Sequence, residues 1–599
     1  MSPAPTAPPP GPGDLYPRPR RVGAADPATR HHHAIRTALD PTLPPQGYVL
    51  HVDGHGAQLR HADDAGLRYG LGTAEQLRAA DGTLPTVTIE DHPDFATRAY
   101  QLDVSRDRVP TRATLDRLVT ALEAGRYNQL QLYVEHAFAY REHRVVWADA
   151  SPVDASDLRW LDDRCAAAGI ELVANQNCFG HFGPWLALDE YRWRAECPDG
   201  YEVAPGIRLP PGVLAPTPDN ADFALALVRE QAAAVRSATV NVGCDETFEL
   251  GMGASRARVE AEGRGSVYVE HLRRILDPLV AEGRTVQYWA DVVANHPEHL
   301  GEVPRDGAVP LVWNYDAPDA PTVDVPELAR QVLDAMGIDV NADTRFARRL
   351  RPFADAGLDH WVAPGTSSWN SVVGRLDNAL ANLRDAAEAG VGSGASGYLV
   401  TDWGDGGHHQ PLTVSLAPLA YGGAVAWGVD ANRDLDPAPI VDAVLLDGGS
   451  PGLGAVLDTI GRAASATGLA ARNASPLAAG LLSGGFLFYS GDLDADRLLG
   501  VLASLDDARG RVERLAPSER FGPELIEELA VAVDLARFGA ETLAARAGAP
   551  VPPPTARADA LDELIARYRA AWLTTSRPGG LAASAAHLAR TRDRLRSPR

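Results

Sequence analysis

The sequence predicts an α/β protein centred on a closed (β/α)8 barrel of the TIM type, preceded by a small α/β domain and followed by a helical C-terminal domain. Three observations predict it. Between residues 98 and 401, eight short apolar runs alternate with amphipathic helical stretches, and eight is the strand count of a closed parallel barrel. No G-x-G-x-x-G or G-x-x-x-x-G-K-[ST] follows any of those runs, so a nucleotide-binding sheet is unsupported. After about Asp430 the strand signal fades while helical spacing continues.

Taken in order, residues 1–45 are Pro-rich and lack hydrophobic periodicity, which predicts a disordered tail. His31-His32-His33 within it read as solvated side chains rather than a metal site. Residues 46–94 predict the small α/β domain, with strands at Tyr48–Val52 and Thr86–Ile89 and helical spacing from Leu67 to Leu77. The barrel spans residues 95–430. Its candidate strands are Arg98–Val104, Asn128–Glu135, Ile170–Gln176, Thr239–Asp245, Thr285–Ala290, Val309–Asn314, Trp361–Gly365 and Gly397–Thr401. Thr111 caps a helix with Leu115, Leu118, Val119 and Leu122 on one face, and Thr217 before Pro218 opens another. Residues 431–599 predict the helical domain. There Leu525, Leu529 and Val533, then Leu561, Leu564, Ile565 and Tyr568, keep helical spacing across the break at Pro550–Pro554. That domain offers no identifiable chemistry; it is expected to pack on the barrel or on a second copy, which would make a homodimer.

Composition narrows the function. Among 599 residues, 45% hydrophobic and 23% charged content is that of an ordinary soluble globular protein. A formal net charge of −23 argues against nucleic acid or an anionic membrane as partner, since both need basic footprints. Cys165, Cys178, Cys197 and Cys244 form no C-x-x-C, which fits neither a disulfide framework nor zinc. The N-terminus lacks the basic start and apolar core of a signal peptide, and no apolar run approaches the ~20 residues that span a bilayer. A cytoplasmic location is expected.

The chemistry is expected at the strand ends, where such barrels keep it. Thr239–Cys244 runs directly into Asp245 and Glu246. Neighbours on a strand point to opposite faces, so these two acids serve one site only if the chain leaves the strand there. A bare Asp-Glu pair is more often a solvated turn, and its company decides otherwise. Arg98 and Asp103 flank the first strand, Glu135 and His136 end the second, and Asn175, Gln176, Asn177 and His181 follow the third. Trp289 with Asp291, Trp313 with Tyr315, Trp369 with Asn370, and Trp403 with Asp405 end the last four. Four tryptophans at consecutive strand ends predict a pocket wall. Aromatic faces suit the C–H faces of a sugar ring, and acids, amides and Arg suit its hydroxyls, so a carbohydrate substrate is expected. The competing set, His136, His181, His408 and His409 with Asp245, has no H-x-H or H-E-x-x-H near the strand ends. Neither a metal nor any other cofactor is expected.

With these residues the chain resembles glycoside hydrolase family 20, the β-N-acetylhexosaminidases, over roughly Gly47 to Asp430. The resemblance rests on Arg98-Ala-Tyr-Gln-Leu-Asp-Val-Ser-Arg106, Gly180-His181, Gly243-Cys-Asp-Glu246, the late tryptophans, and the small α/β unit ahead of the barrel. It implies an exo-acting, retaining hydrolase that removes a terminal β-linked N-acetylglucosamine or N-acetylgalactosamine by substrate-assisted catalysis. Glu246 then matches the general acid/base, and Asp245 the carboxylate that orients the 2-acetamido group, whose oxygen attacks to give an oxazolinium. Arg98 matches the arginine on the O3 and O4 hydroxyls, Trp403 and Asp405 the pair that stacks on and holds the sugar, and Trp289 the pocket wall. Such chemistry demands a protonated Glu246 beside an ionised Asp245. The family usually has His at the position of Asn241, Asp at that of Asn177, and a Tyr after strand seven. Here two amides could bond one another, and Tyr315 or Asn370 is left to meet the acetamido oxygen, so the chain reads as a divergent member. Two alternatives stay open: Glu135 as nucleophile on a sugar without the acetamido group, and a non-catalytic sugar-binding protein on the same scaffold.

Overall fold

A computed structural model of the chain describes residues 11–482 and 487–597. Its first unit is a sheet of β1 (Arg21–His31), β2 (Ile35–Leu39), β3 (Tyr48–Asp53), β4 (Gly56–His61) and β5 (Leu84–Asp91), in the order β1-β5-β3-β4-β2. Alternating burial places Tyr48, Leu50, Val52, Val87 and Ile89 in one core with Tyr69 and Ala74 of the helix Asp64–Gln76. The expectation of a disordered tail over residues 1–45 is overturned from residue 11 onward; residues 1–10 lie outside the described residues. β1 pairs antiparallel with β5 and β2 parallel with β4. Backbone ladders order this stretch while most of its side chains stay exposed, so no hydrophobic period marks it. His31 bonds Thr86 at 2.8 Å and stacks on His33.

The barrel begins with β6 (Thr97–Asp103), β7 (Gln129–Val134) and β8 (Glu171–Gln176). A hairpin, β9 (Tyr201–Ala204) with β10 (Ile207–Leu209), stands in the next connection. The barrel then continues through β11 (Thr239–Asn241), β12 (Thr285–Trp289), β13 (Ala308–Trp313), β14 (Trp361–Ala363) and β15 (Gly397–Asp402). These eight strands close in parallel, and each predicted run supplies one. Thr111 caps the helix Arg112–Ala124 through Thr114 N–H, and Thr217 caps Pro218–Ala232 through Asn220 N–H. The fourth barrel strand is shorter than expected. Pairing stops at Asn241 because Gly243, Cys244 and Glu246 take positive φ values of 64°, 68° and 50° and carry the chain out of the sheet.

The barrel floor is polar. Gln101, Gln131, Asn175, Asn241 and Gln287 come from five neighbouring strands and are wholly buried. Gln131 donates to Gln287 Oε1 at 2.7 Å, while its own oxygen accepts from Asn175 and Asn241, both at 3.0 Å. The C-terminal helices Ala495–Glu513, Pro523–Arg546, Pro554–Thr575 and Leu581–Arg596 pack on this barrel, sharing one apolar core with it. Thr575 O accepts from Thr111 N–H and Thr114 Oγ1, and Arg108 of the barrel pairs with buried Glu528.

Candidate active site

The turn after β11 is built by close approach. A Cβ on Gly243 would lie 2.6 Å from the Asn177 side chain, and one on Gly180 only 2.2 Å from the Asp245 carbonyl oxygen. Cys244 N–H donates to Asn177 Oδ1 at 3.1 Å. Left-handed Cys244 and Glu246 on either side of Asp245 let two consecutive acids serve one site. His181, itself at φ 58°, shows that they do: its Nε2 lies 3.2 Å from Asp245 Oδ2 and 3.4 Å from Glu246 Oε2.

The two acids are driven apart in protonation. Asp245 is buried, which by itself raises its pKa. The charge and hydrogen bond of His181, and Asn177 Nδ2 donating to Oδ1 at 2.6 Å, outweigh burial and hold the carboxyl below its usual range. Glu246 lies above its usual range, raised by burial and by Asp245 against the pull of His181 and Arg106, although 36% of its side chain faces the cavity. Its N–H donates to Asp291 Oδ2 at 3.1 Å, and burial pushes Asp291 up to about 7. On His181 burial favours the neutral ring, but attraction to Asp245 and Glu135 prevails and lifts it to about 10. The site therefore holds an imidazolium between Asp245, whose proton affinity is lowered, and Glu246, whose proton affinity is raised.

Arg98 is not in this site. It stands near the start of β6, at the far end of the barrel, about 17 Å along the strand from its C-terminal end. Its guanidinium is wholly buried and donates to Phe95 O, Ala96 O, Arg126 O, Gln46 Oε1 and Tyr69 OH, beside the Tyr69 and Trp427 rings. It ties the N-terminal sheet unit to the barrel. The arginine of the site is Arg106, three residues past β6, 3.1 Å from Asp103, 3.3 Å from Glu135 and 3.2 Å from Asp405. It also lies over the Trp403 ring at 5.0 Å. It is the second arginine of the same motif, and the strand-end rule singles it out.

Glu135 is 3.5 Å from His181 Nδ1 but engaged, by Arg106 and by Tyr133 OH at 3.1 Å. Burial raises its pKa. Asn241 and Asn177 do not bond one another. Asn241 belongs to the floor, bonding Gln131 and accepting Gly243 N–H, whereas Asn177 bonds Asp245 itself. The tryptophan wall divides. Trp289, Trp369 and Trp403 are 0%, 0% and 6% exposed and form a backing layer with Tyr133. Trp313, stacked on Tyr315 at 5.1 Å, lines a cavity of about 560 Å³ together with Glu246, Asp405 and Asn370. Asn370 donates to Asn473 O at 3.4 Å, and Trp369 Nε1 to Asn473 Oδ1 at 3.0 Å.

The C-terminal region thus contributes to the site, contrary to expectation: Arg472, Asn473, His587 and Arg590 line the same cavity. No motif signals this, because the contacts join segments far apart in the chain. Burial pulls His136 and His408 down to about 4 and His409 to about 3, so all three are neutral. Among the described residues no group of three or more His, Cys, Asp or Glu is placed to hold a metal ion.

Comparison with known proteins follows the same lines. Residues 14–92 match the sequence model of glycosyl hydrolase family 20, domain 2. Over that stretch the chain is similar to glycoside hydrolase family 20. That match starts inside the stretch expected to be a tail, and covers the N-terminal sheet unit. A β-hexosaminidase of Akkermansia muciniphila is 24% identical over 189 residues, which is 28% of this chain and 38% of that relative. Among solved structures, a family 20 β-N-acetylglucosaminidase superposes with a TM-score of 0.51 at 18% identity, covering 74% of this chain and 97% of that one. It shares the fold. The β-N-acetylhexosaminidase of Bacteroides fragilis gives a TM-score of 0.48 at 16% identity, over 69% of this chain and 84% of that one.

Proposed function

We propose that this protein is a member of glycoside hydrolase family 20, an exo-acting, retaining β-N-acetylhexosaminidase that uses the substrate's own amide as nucleophile. One observation carries the reading: a single imidazolium touches two adjacent carboxylates whose proton affinities are shifted in opposite directions. In the first step the acetamido oxygen bonds to the anomeric carbon while the bond to the leaving oxygen breaks, and Glu246 transfers its proton to that oxygen. The nitrogen of the resulting oxazolinium carries positive charge, which Asp245, oriented by Asn177 and His181, balances. Water then attacks the anomeric carbon from the vacated side and gives a proton to Glu246, while the bond from that carbon to the acetamido oxygen breaks and the oxazolinium reopens to the neutral amide. Two inversions leave the configuration retained.

Arg106 and Asp405, already paired at the cavity edge, are the groups suited to ring hydroxyls, and Trp313 with Tyr315 the aromatic surface. Both Tyr315 and Asn370 line the cavity, and Tyr315 suits the acetamido oxygen better because Asn370 is turned to Asn473. Four buried free thiols fit a reducing compartment, and a cytoplasmic enzyme remains part of the proposal.

The test is release of aryl alcohol from aryl β-N-acetylglucosaminide and β-N-acetylgalactosaminide. Glu246→Gln is expected to lower kcat by roughly 10²- to 10⁴-fold, the worth of general acid catalysis. A thiazoline mimic of the oxazolinium should inhibit. Covalent trapping of Glu135 by a fluorosugar, with no thiazoline inhibition, would replace this reading by the conventional two-carboxylate one.

A further inference from the structure

The cavity beside Glu246 is lined by two arginines, Arg349 and Arg590, that form no ion pair among the described residues with the acids lining it, Glu246, Asp316, Asp339 and Asp405. Arg349 reaches it from the helix Phe346–Asp355, in the connection between β13 and β14. Its Nε is buried and has no hydrogen-bond partner among the described residues. The acids whose charge reaches Arg349 are Asp343, Asp291 and Asp316, and all three are engaged elsewhere. Asp343 pairs with Arg345 and Arg348 at 2.5 and 3.2 Å. Asp316 pairs with Arg375 at 3.1 Å and accepts Asn473 N–H. Asp291 accepts the N–H of Glu246. On the opposite wall Arg590, from the helix Leu581–Arg596, lines the same cavity, likewise without an ion-pair partner among the described residues, and its charge helps keep His587 neutral. The fourth basic group, Arg472, differs: carbonyls of Ala320, Pro321 and Ala342 take up its guanidinium.

A partly buried cation without an anion is costly, and a guanidinium fork is matched by a carboxylate, sulfate or phosphate. The protein as a whole repels anions, with a net charge of −23. At physiological salt, fields from charges farther than roughly 8 Å are screened, so the local pair decides what this cavity accepts. Glu246 and Asp405 line the same cavity, so an anion here belongs to a bound glycoside rather than to a separate ligand.

From Arg349 and Arg590 in the catalytic cavity, we propose that the substrate is an anionic N-acetylhexosaminide, bearing a sulfate, phosphate or carboxylate that Arg349 binds directly and Arg590 assists. This rests on the hexosaminidase reading above and names its substrate class. The anion sits either on the hexosamine ring or on the group it is linked to, and two matched substrate pairs separate those cases. One pair is 4-nitrophenyl N-acetyl-β-glucosaminide and its 6-O-sulfate. The other is the N-acetyl-β-glucosaminides of 4-hydroxybenzamide and 4-hydroxybenzoate.

In at least one pair the charged member is expected to show a kcat/KM roughly 10- to 100-fold above its neutral partner, the worth of one charge-assisted hydrogen bond. The advantage resides mainly in KM and shrinks with added salt. Arg349→Gln is expected to collapse that ratio toward one. Arg590→Gln, at an exposed position, is expected to reduce it several-fold and serves as second variant if Arg349→Gln fails to fold. Equal rates within both pairs, or a ratio that survives in both variants, overturns the inference. If no glycoside is cleaved, the hexosaminidase reading fails instead. Calorimetric titration of the protein with N-acetylglucosamine and its 6-sulfate, and with 4-hydroxybenzamide and 4-hydroxybenzoate, then decides. Tighter binding of a charged member supports the anion site, and equal binding within both pairs refutes it.

Discussion

His181→Gln is the most informative single change. Glutamine retains an N–H for Asp245 but removes the imidazolium. At 3.2 Å and an effective dielectric of 20, Coulomb's law sets an upper bound of about 5 kcal/mol on the His181–Asp245 attraction. The same ring charge also faces Glu135 at 3.5 Å and Glu246 at 3.4 Å, and losing one partner of a buried pair typically costs ~3–5 kcal/mol. Because His181 lowers the proton affinity of both Asp245 and Glu246, deleting it raises both. The acid limb of the kcat/KM profile reports ionisation of Asp245, and the alkaline limb loss of the Glu246 proton. The whole bell therefore moves to higher pH, and at the wild-type optimum kcat/KM falls by about 10²- to 10³-fold, a cost of roughly 3–4 kcal/mol. The assay is kcat/KM on an aryl N-acetyl-β-glucosaminide across the pH range, with thermal melts alongside. His181 is raised from the ordinary imidazole value to about 10, so its ionisation contributes stability that is fully present below about 6.5 and lost as pH rises through 10. The gap in Tm between wild type and variant should close over that window. A profile that loses height with both limbs unmoved would falsify the electrostatic role and leave His181 a mere spacer.

Three further perturbations separate position from chemistry. Arg106→Gln should lower kcat/KM by about 10²-fold in protein that still folds, and it lowers Tm as well because Asp103, Glu135 and Asp405 lose their shared cation. Arg98→Gln, which strands several buried acceptors, should cost ~3–5 kcal/mol of stability while folded protein keeps its kcat, and the reverse pattern would restore Arg98 to the site. Gly180→Ala pushes a methyl against the Asp245 carbonyl, so the turn must shift; a misplacement on the order of 1 Å can cost about 10²-fold in kcat, and unaltered kinetics would show that the turn tolerates it.

Much of this architecture is legible in the residue order, for reasons that differ by region. The barrel announces itself because parallel strands, buried on both faces, read as apolar runs, and all eight are found. Strand ends then collect Asp245, Glu246, Glu135, His181, Trp313, Tyr315 and Asp405 without further information. Position singles out Asn177, but its partner is Asp245 rather than the expected Asn241, since an amide's bonding depends on coordinates rather than on its neighbours in the chain. Arg98 misleads because motif likeness names the first arginine, whereas strand direction names Arg106. β1 and β2 escape because their order comes from backbone ladders, which leave no side-chain period. The wall formed by Asn473, His587 and Arg590 is invisible because tertiary contact alone brings it near Glu246.

The amide floor of the barrel has a consequence for how this sequence can drift. Gln131 is its hub, touching Gln129, Asn175, Asn241 and Gln287 at once. A leucine there would maroon several carboxamides in a place no solvent reaches, so single exchanges are penalised while a concerted switch of the whole cluster to aliphatic residues is tolerable. Across relatives these positions should covary as a block, and a lineage that has made the switch will have crossed a fitness valley to do so.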